Sequence, residues 1–196
     1  GETQSMRVLA DFIKTFSTEY PQVTYKLYSA DADDIKDRVN KGLLDICLLT
    51  EPVDVDKYDF IRIPQKERWG VIMRKDSPLA QERSVAPEDL LAYPILIPGR
   101  ALVQNELDNW FGDAYGAVHI IGRYNLIYNA AILVEAGVGV ALCLEKLVPV
   151  SEETELCFRT LAPALETGVV IAWKKNQIFP PAVAKFIELL KNAFRA

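Results

Sequence analysis

Residues 31–50 read DADDIKDRVNKGLLDICLLT, and the change of rhythm within this stretch decides the fold. Asp31 stands where an N-cap belongs, Asp34 follows three residues later, and Ile35 and Val39 fall one helical turn apart. Gly42 then occupies the place where a helix turns off through the left-handed region, which a residue without a Cβ enters at little cost. The apolar run LLDICLLT, closed by Glu51-Pro52, has the pattern of a buried strand. Helix, glycine and buried strand in that order make the repeating joint of an α/β protein.

Toward the N-terminus, Met6, Leu9, Ile13 and Phe16 recur at helical spacing with Phe12 beside them, so GETQSMRVLADFIKTF feeds a polar turn into an amphipathic helix. Pro21 stops it. Val23, Tyr25 and Leu27 then alternate with Thr24, Lys26 and Tyr28, which predicts a strand with two different surfaces. The first fifty residues therefore predict helix, strand, helix, strand. A second unit follows the same plan, with no alignable repeat between the two. PILIP (94–98) is a strand, and VQNELDNWFG (103–112) is a helix with Val103, Leu107, Trp110 and Phe111 on one face. AVHIIG (117–122) is a strand, NLIYNAAILVEAG (125–137) a helix closed by Gly137, and VGVAL (138–142) a buried strand.

Between the units, FIRIPQKERWGVIMRKDSPLA (60–80) holds two strand-like runs, and SVAPEDLLAYP (84–94) a short helix with Pro87 near its first turn. LCFRTL (156–161) and TGVVIAW (167–173) are strands. FPPAVAKFIELLKNAF (179–194) is a helix that starts at Pro180 and Pro181 and carries Val183, Phe186, Leu190 and Phe194 along one side. Strands alternating with helices predict a mostly parallel sheet in each lobe. The tail is too short for a domain, so it is expected to return to the first lobe. That gives lobe I as 1–74 plus 160–196, lobe II as 75–159, and two crossings that act as a hinge pair.

Composition narrows the function. Half of the 196 residues are hydrophobic and a quarter charged, an ordinary globular balance. No apolar run approaches the ~20 residues that span a bilayer, and no basic segment leads into an apolar stretch at the N-terminus. With a net charge of −5 and no dense Lys/Arg cluster, the chain lacks the electrostatic footprint of a nucleic-acid binder. Cys47, Cys143 and Cys157 lie in apolar settings without CxxC spacing, and read as reduced thiols of a cytoplasmic protein.

The GxG of EAGVGVAL (135–142) runs the wrong way for a dinucleotide fingerprint, because Gly137 closes a helix and Gly139 enters a strand. His119 is the only histidine. Set in the apolar run VHII, it reads as a buried structural ring and leaves most metal sites without a ligand set. Asp33 with Asp34, and Glu152 with Glu153, are neighbouring acids on a helix start and a loop, where solvent or the helix dipole accounts for them. No catalytic residue, metal or cofactor is expected. What recurs is the polar helix entrance: GETQS (1–5), SADADD (29–34), IPGRALVQN (97–105) and GRYNL (122–126). Each one alone is a cap. Four in two matched lobes predict a ligand cleft, because strand C-termini and helix N-termini gather at one edge of such sheets.

VNKGLLDICLL, RWGVIMRKDSPLA with PEDLLAYPILIP after it, LVEAGVGVAL and the closing VVIAWKKN…PPAVAKFIELLKN resemble, in order and over nearly the whole chain, the effector-binding domain of LysR-type transcriptional regulators. The resemblance implies two Rossmann-like lobes joined by two crossover strands, the fold of type 2 periplasmic binding proteins, with a small-molecule effector between them. It also implies a winged helix-turn-helix DNA-binding domain upstream, outside this sequence and the sole route to DNA. Further implied are antiparallel homodimers through this domain, within a tetramer of the full protein, and a strand that hands over to the first helix at Gly1.

Family roles fall on Thr3, Gln4 and Ser5 in the first turn, Ala30 and Asp31 after the second strand, Pro98, Gly99 and Arg100 in the second lobe, and Tyr124 and Asn125 before the fourth helix. Asp31 departs from the small neutral residue common there, and would repel an anionic effector unless it caps its own helix. Ser77 stands where histidine is common. Arg100 is the residue suited to a carboxylate, which a guanidinium takes in two parallel hydrogen bonds. The rival of the same fold is an extracytoplasmic solute-binding protein of a transport system, which would carry an export signal upstream.

Overall fold

The structure is a computed structural model, and it describes residues 2–51, 53, 54 and 56–194. Gly1 and Pro52, expected at a strand hand-over and at the end of a strand, lie outside the described residues. In chain order the elements are α1 (Met6–Glu19), α2 (Ala32–Asn40), β1 (Cys47–Thr50), β2 (Tyr58–Arg62), β3 (Glu67–Arg74), β4 (Ser84–Val85), β5 (Ile95–Pro98), α3 (Ala101–Phe111), β6 (Ile120–Tyr124), α4 (Ile127–Glu135), β7 (Val140–Leu144), β8 (Leu156–Leu161), β9 (Glu166–Thr167), β10 (Val169–Lys174) and α5 (Pro181–Ala193). Short 3-10 helices span Pro78–Gln81, Glu88–Ala92 and Gly112–Ala117.

The chain divides into two compact units, residues 1–66 with 168–196 and residues 67–167. The crossings therefore fall at Lys66/Glu67 and Thr167/Gly168 rather than near 74 and 160. The reason is pairing: β3 and β8, read as straddling the hinge, are ladder neighbours of each other, and β3 also pairs with β7 inside the second unit.

In the first unit the sheet order is β1-β10-β2, and both pairs are antiparallel. The expected mostly parallel sheet is not found among its described residues. β1 and β2 share a direction, but β10 returns from the other unit and runs between them the opposite way. Period-two alternation sends Val169, Ile171 and Trp173 to one face, with Leu9 and Phe16 of α1 and Phe186, Ile187 and Leu190 of α5. Val170 and Ala172 go to the other face, with Ile35 and Val39 of α2. Burial on both sides is why VVIAW is an unbroken apolar run. The Phe186 ring meets Phe12 and Phe16 edge-on at centroid distances of 4.8 and 5.0 Å, the geometry aromatic quadrupoles favour.

In the second unit the order is β4-β8-β3-β7-β5-β6, with β9 on β3. β5 is parallel to β6 and β7, as is β4 to β8, whereas β3 is antiparallel to each of its partners. Again the strand arriving from the other unit reverses the local sense. Val103, Leu107 and Phe111 of α3 pack on one face of this sheet, and Ile127, Ala130, Ala131 and Val134 of α4 on the other.

The joints form as the sequence predicts. Gly42 and Gly137 take φ of +70° and +82°, and beyond them Leu43 and Val138 donate back to Arg38 and Leu133 at 2.9 and 3.0 Å. These are the six-to-one bonds of a Schellman end, and each delivers the chain to a buried strand.

Two further expectations fail. Residues 23–28 belong to no ladder, and Leu27 is 76% exposed. Alternation gives the segment two faces, yet no neighbouring strand among the described residues takes its main-chain bonds. Side chains fasten it instead, Ser17 to the Tyr25 hydroxyl at 3.1 Å and the Tyr28 hydroxyl to Asp34 at 2.7 Å. His119 is exposed, not buried, because the preceding 3-10 helix runs to Ala117 and the strand begins only at Ile120. Its carbonyl accepts the Ile95 amide at 2.9 Å.

Candidate functional site

Each unit has its own candidate site residues, at the entrances of α1 and α2 in the first unit and where β5 and β6 lead into α3 and α4 in the second. In the first unit the turn before α1 is tightly wound: the amides of Met6, Arg7 and Val8 donate to the carbonyls of Thr3, Gln4 and Ser5 at 3.2, 3.0 and 3.1 Å. These three-residue bonds occupy donors that a helix start otherwise leaves open. The Ser5 amide donates to Thr3 Oγ1 at 3.1 Å, and Gln4 Oε1 accepts from Arg7 Nε at 2.8 Å. Thr3 and Ser5 are 7% and 3% exposed, so two hydroxyl side chains are drawn inside the unit at this turn. Sequence pattern alone marks the turn as polar and does not reveal that burial. At the α1 entrance the first-turn backbone N–H groups are thus engaged within the turn.

At the α2 entrance, Ala30 is buried and Asp31 is the N-cap, its Oδ1 accepting the amides of Asp33 and Asp34 at 3.0 Å each. Asp31 thus turns into its own helix, the condition under which it would not oppose an anion.

In the second unit the strand register brings four of the named residues together. Pro98 of β5 lies opposite Tyr124 of β6, and the Gly99 amide donates to the Tyr124 carbonyl at 2.8 Å. The Gly99 carbonyl accepts from Gln104 Nε2 at 2.7 Å, which ties the loop to the first turn of α3. The Tyr124 hydroxyl points inward and donates to the Leu142 carbonyl, and burial pushes its pKa well up. Asn125 Oδ1 accepts the amide of the next residue, Leu126, at 2.8 Å, just before α4. The Tyr124 hydroxyl and the Asn125 Oδ1 are therefore engaged within the fold.

Arg100 is the N-cap position of α3, in extended conformation, and no side chain caps that helix. Its Nε and Nη2 atoms are shielded from solvent. Burial pushes the Glu106 carboxyl up, while the Arg100 charge pulls it down. Sequence spacing misses this influence, because positions six apart do not share a helix face. The α3 entrance thus sets a partly shielded guanidinium at a helix N-terminus that no side chain caps, where the helix dipole favours an anionic group.

The described residues hold no cluster of His, Cys, Asp and Glu able to bind a metal. The thiols are buried and unpaired with one another, and desolvation raises Cys47 and Cys143 to about 12. At that value they stay protonated and inert near neutrality.

Residues 1–195 match the LysR substrate binding domain family. The HTH-type transcriptional regulator YybE of Bacillus subtilis is 25% identical over 194 residues, 98% of this chain and 65% of its own length. The chain thus spans somewhat less than two thirds of that relative. Among solved structures, the effector binding domain of QuiR in complex with shikimate superposes with a TM-score of 0.78 at 14% identity, over 95% of this chain and 90% of that one. The Synechocystis PCC6803 CcmR regulatory domain in complex with 2-PG superposes with a TM-score of 0.75 at 17% identity, over 97% and 93%. These likenesses carry the fold, that of type 2 periplasmic binding proteins.

Proposed function

The chain belongs to the LysR substrate binding domain family, and from that premise we propose that it is the effector-sensing part of a cytoplasmic LysR-type transcriptional regulator. A small metabolite binds it and biases how a winged helix-turn-helix domain elsewhere in the full protein engages DNA. The observation that carries the reading is the match over residues 1–195. Two proteins of the same fold are solved with small molecules, shikimate and 2-PG, which supports a small-molecule effector here. The relatives named above are regulators, so the transport reading has no support from them, and no catalytic role is proposed.

The contact residues we propose are Thr3, Gln4 and Ser5 with Ala30 and Asp31 at the helix entrances of the first unit, and Pro98, Gly99 and Arg100 with Tyr124 and Asn125 at those of the second. A carboxylate on the effector suits Arg100 and the uncapped α3. Binding alters regulation only through unequal affinity for two arrangements of the protein.

A thermal-shift screen of carboxylates, amino acids and aromatic metabolites tests the reading, because a ligand of the folded state alone raises apparent stability. Arg100→Ala is expected to weaken the best hit about tenfold to a hundredfold in calorimetry, from the roughly 1.5–3 kcal/mol of a charge-assisted hydrogen bond. The melting temperature without ligand should stay nearly constant. Unchanged affinity removes Arg100 from the site.

Homodimerisation through this domain is part of the proposal. α4 leaves Tyr128, Ile132 and Leu133 exposed, at 71%, 48% and 43%, with Val138 exposed just beyond the helix. The excess of acidic side chains lies within residues 67–167, whereas the other unit is close to balanced. Pairing each second unit with the first unit of the partner avoids setting acid on acid, which favours the antiparallel arrangement over a like-to-like one. A tetramer of the full protein follows from the family resemblance.

A further inference from the structure

The C-terminal end of β1 carries a side chain that reaches across the sheet at one crossing. The Glu51 amide donates to the Gly168 carbonyl at 2.9 Å, and on the other side of the same strand the Ile63 amide donates to the Val169 carbonyl at 2.9 Å. Gly168 and Val169, where the chain re-enters the first unit, are thus gripped between the extensions of β1 and β2. The Glu51 carboxylate then passes over Gly168 and pairs with Arg62, the last residue of β2, through Nε–Oε1 at 2.7 Å. Any side chain at 168 would run into Glu51 Oε2, so this passage exists because the residue is glycine.

We infer that Glu51 and Arg62 form a strap over Gly168 that fixes the re-entering strand to both of its neighbours and confines bending of the crossing to Lys66/Glu67 and Thr167/Gly168. Glu51 directly follows β1, Gly168 directly precedes β10 and Arg62 ends β2, with Gly168 at the unit boundary. The outgoing crossing begins four residues after Arg62, so one ion pair restrains both passages of the chain. Glu51 and Arg62 act here as positioning residues, and the inference stands whether or not an effector binds.

The test is native-state amide hydrogen exchange on this chain, read at Glu51 and Ile63, whose amides grip the strapped strand. Arg62→Ala is expected to speed exchange at these two amides roughly two- to fivefold, the range an exposed ion pair commands. Amides of β3, β7 and β8 should keep their rates. The reversed pair Glu51→Arg with Arg62→Glu should restore protection at Ile63, which neither Arg62→Ala nor Arg62→Glu alone achieves. Arg62 is exposed, so its variants keep the test available should a substitution at Glu51 prevent folding. Unchanged exchange at both amides in Arg62→Ala overturns the inference. So does a uniform rise across both sheets, which would mean the pair adds only to general stability, or failure of the reversed pair to restore protection.

Discussion

Arg100 and Glu106 show how one residue's surroundings set its behaviour. Burial raises the Glu106 carboxyl above the ordinary range and the Arg100 charge opposes that rise. The folded chain therefore holds the Glu106 proton more tightly than the unfolded chain does. The stabilisation from this group is complete below the unfolded value and is lost as pH rises through the raised folded one. At pH 7 the ionised side chain is a cost, which Glu106→Gln removes. The variant is expected to match or exceed the parent in thermal stability at pH 7, by less than about 1 kcal/mol for a half-exposed group, and to lose that advantage near pH 4. Thermal unfolding at the two pH values reads the difference. Arg100 itself was legible as a cation at a helix entrance, because charge and turn chemistry are local properties. Its influence on the partly buried Glu106 carboxyl was not, because burial and charge proximity depend on how the side chains pack.

At the scale of the element, α2 and α4 end alike and begin differently. Both close on a glycine in the left-handed region and lead into a buried strand. α2 opens on a true side-chain cap, with Asp31 accepting two amides. Asp31→Ala is expected to cost about 1 kcal/mol in chemical denaturation, the usual loss for a cap, and Asp31→Asn much less. An effect of Asp31→Ala on effector binding larger than its effect on stability would show that the carboxylate also meets the ligand. Helices and buried strands were readable here because their period and their stop signals lie within a dozen residues. Residues 23–28 mark where that legibility ends. Alternation prescribes two faces but not a neighbour, and without one the segment stays outside the sheets with Leu27 in solvent. His119 fails for a related reason: a strand begins where pairing begins, three residues later than the apolar pattern suggested.

At the scale of the whole molecule, self-association turns on the exposed apolar face of α4. Ile132→Asp, paired with Tyr128→Asp, is expected to shift sedimentation of a dimer toward monomer, with both substitutions on exposed positions and the fold intact by circular dichroism. A wild-type chain that sediments as a monomer at high concentration would count against pairing through this domain. By itself the sequence determined the two α/β units, the helix ends and caps, the buried strands and the polar entrances, because each rests on hydrogen bonds and periodicities among near neighbours. Only the tertiary structure decided that β10 runs antiparallel between β1 and β2, that the crossings lie at 66/67 and 167/168, and that Glu51 reaches Arg62 across Gly168. Those features join residues more than a hundred positions apart, and strand direction and contact at such separation follow from which surfaces the folded chain can bury together, not from any local pattern.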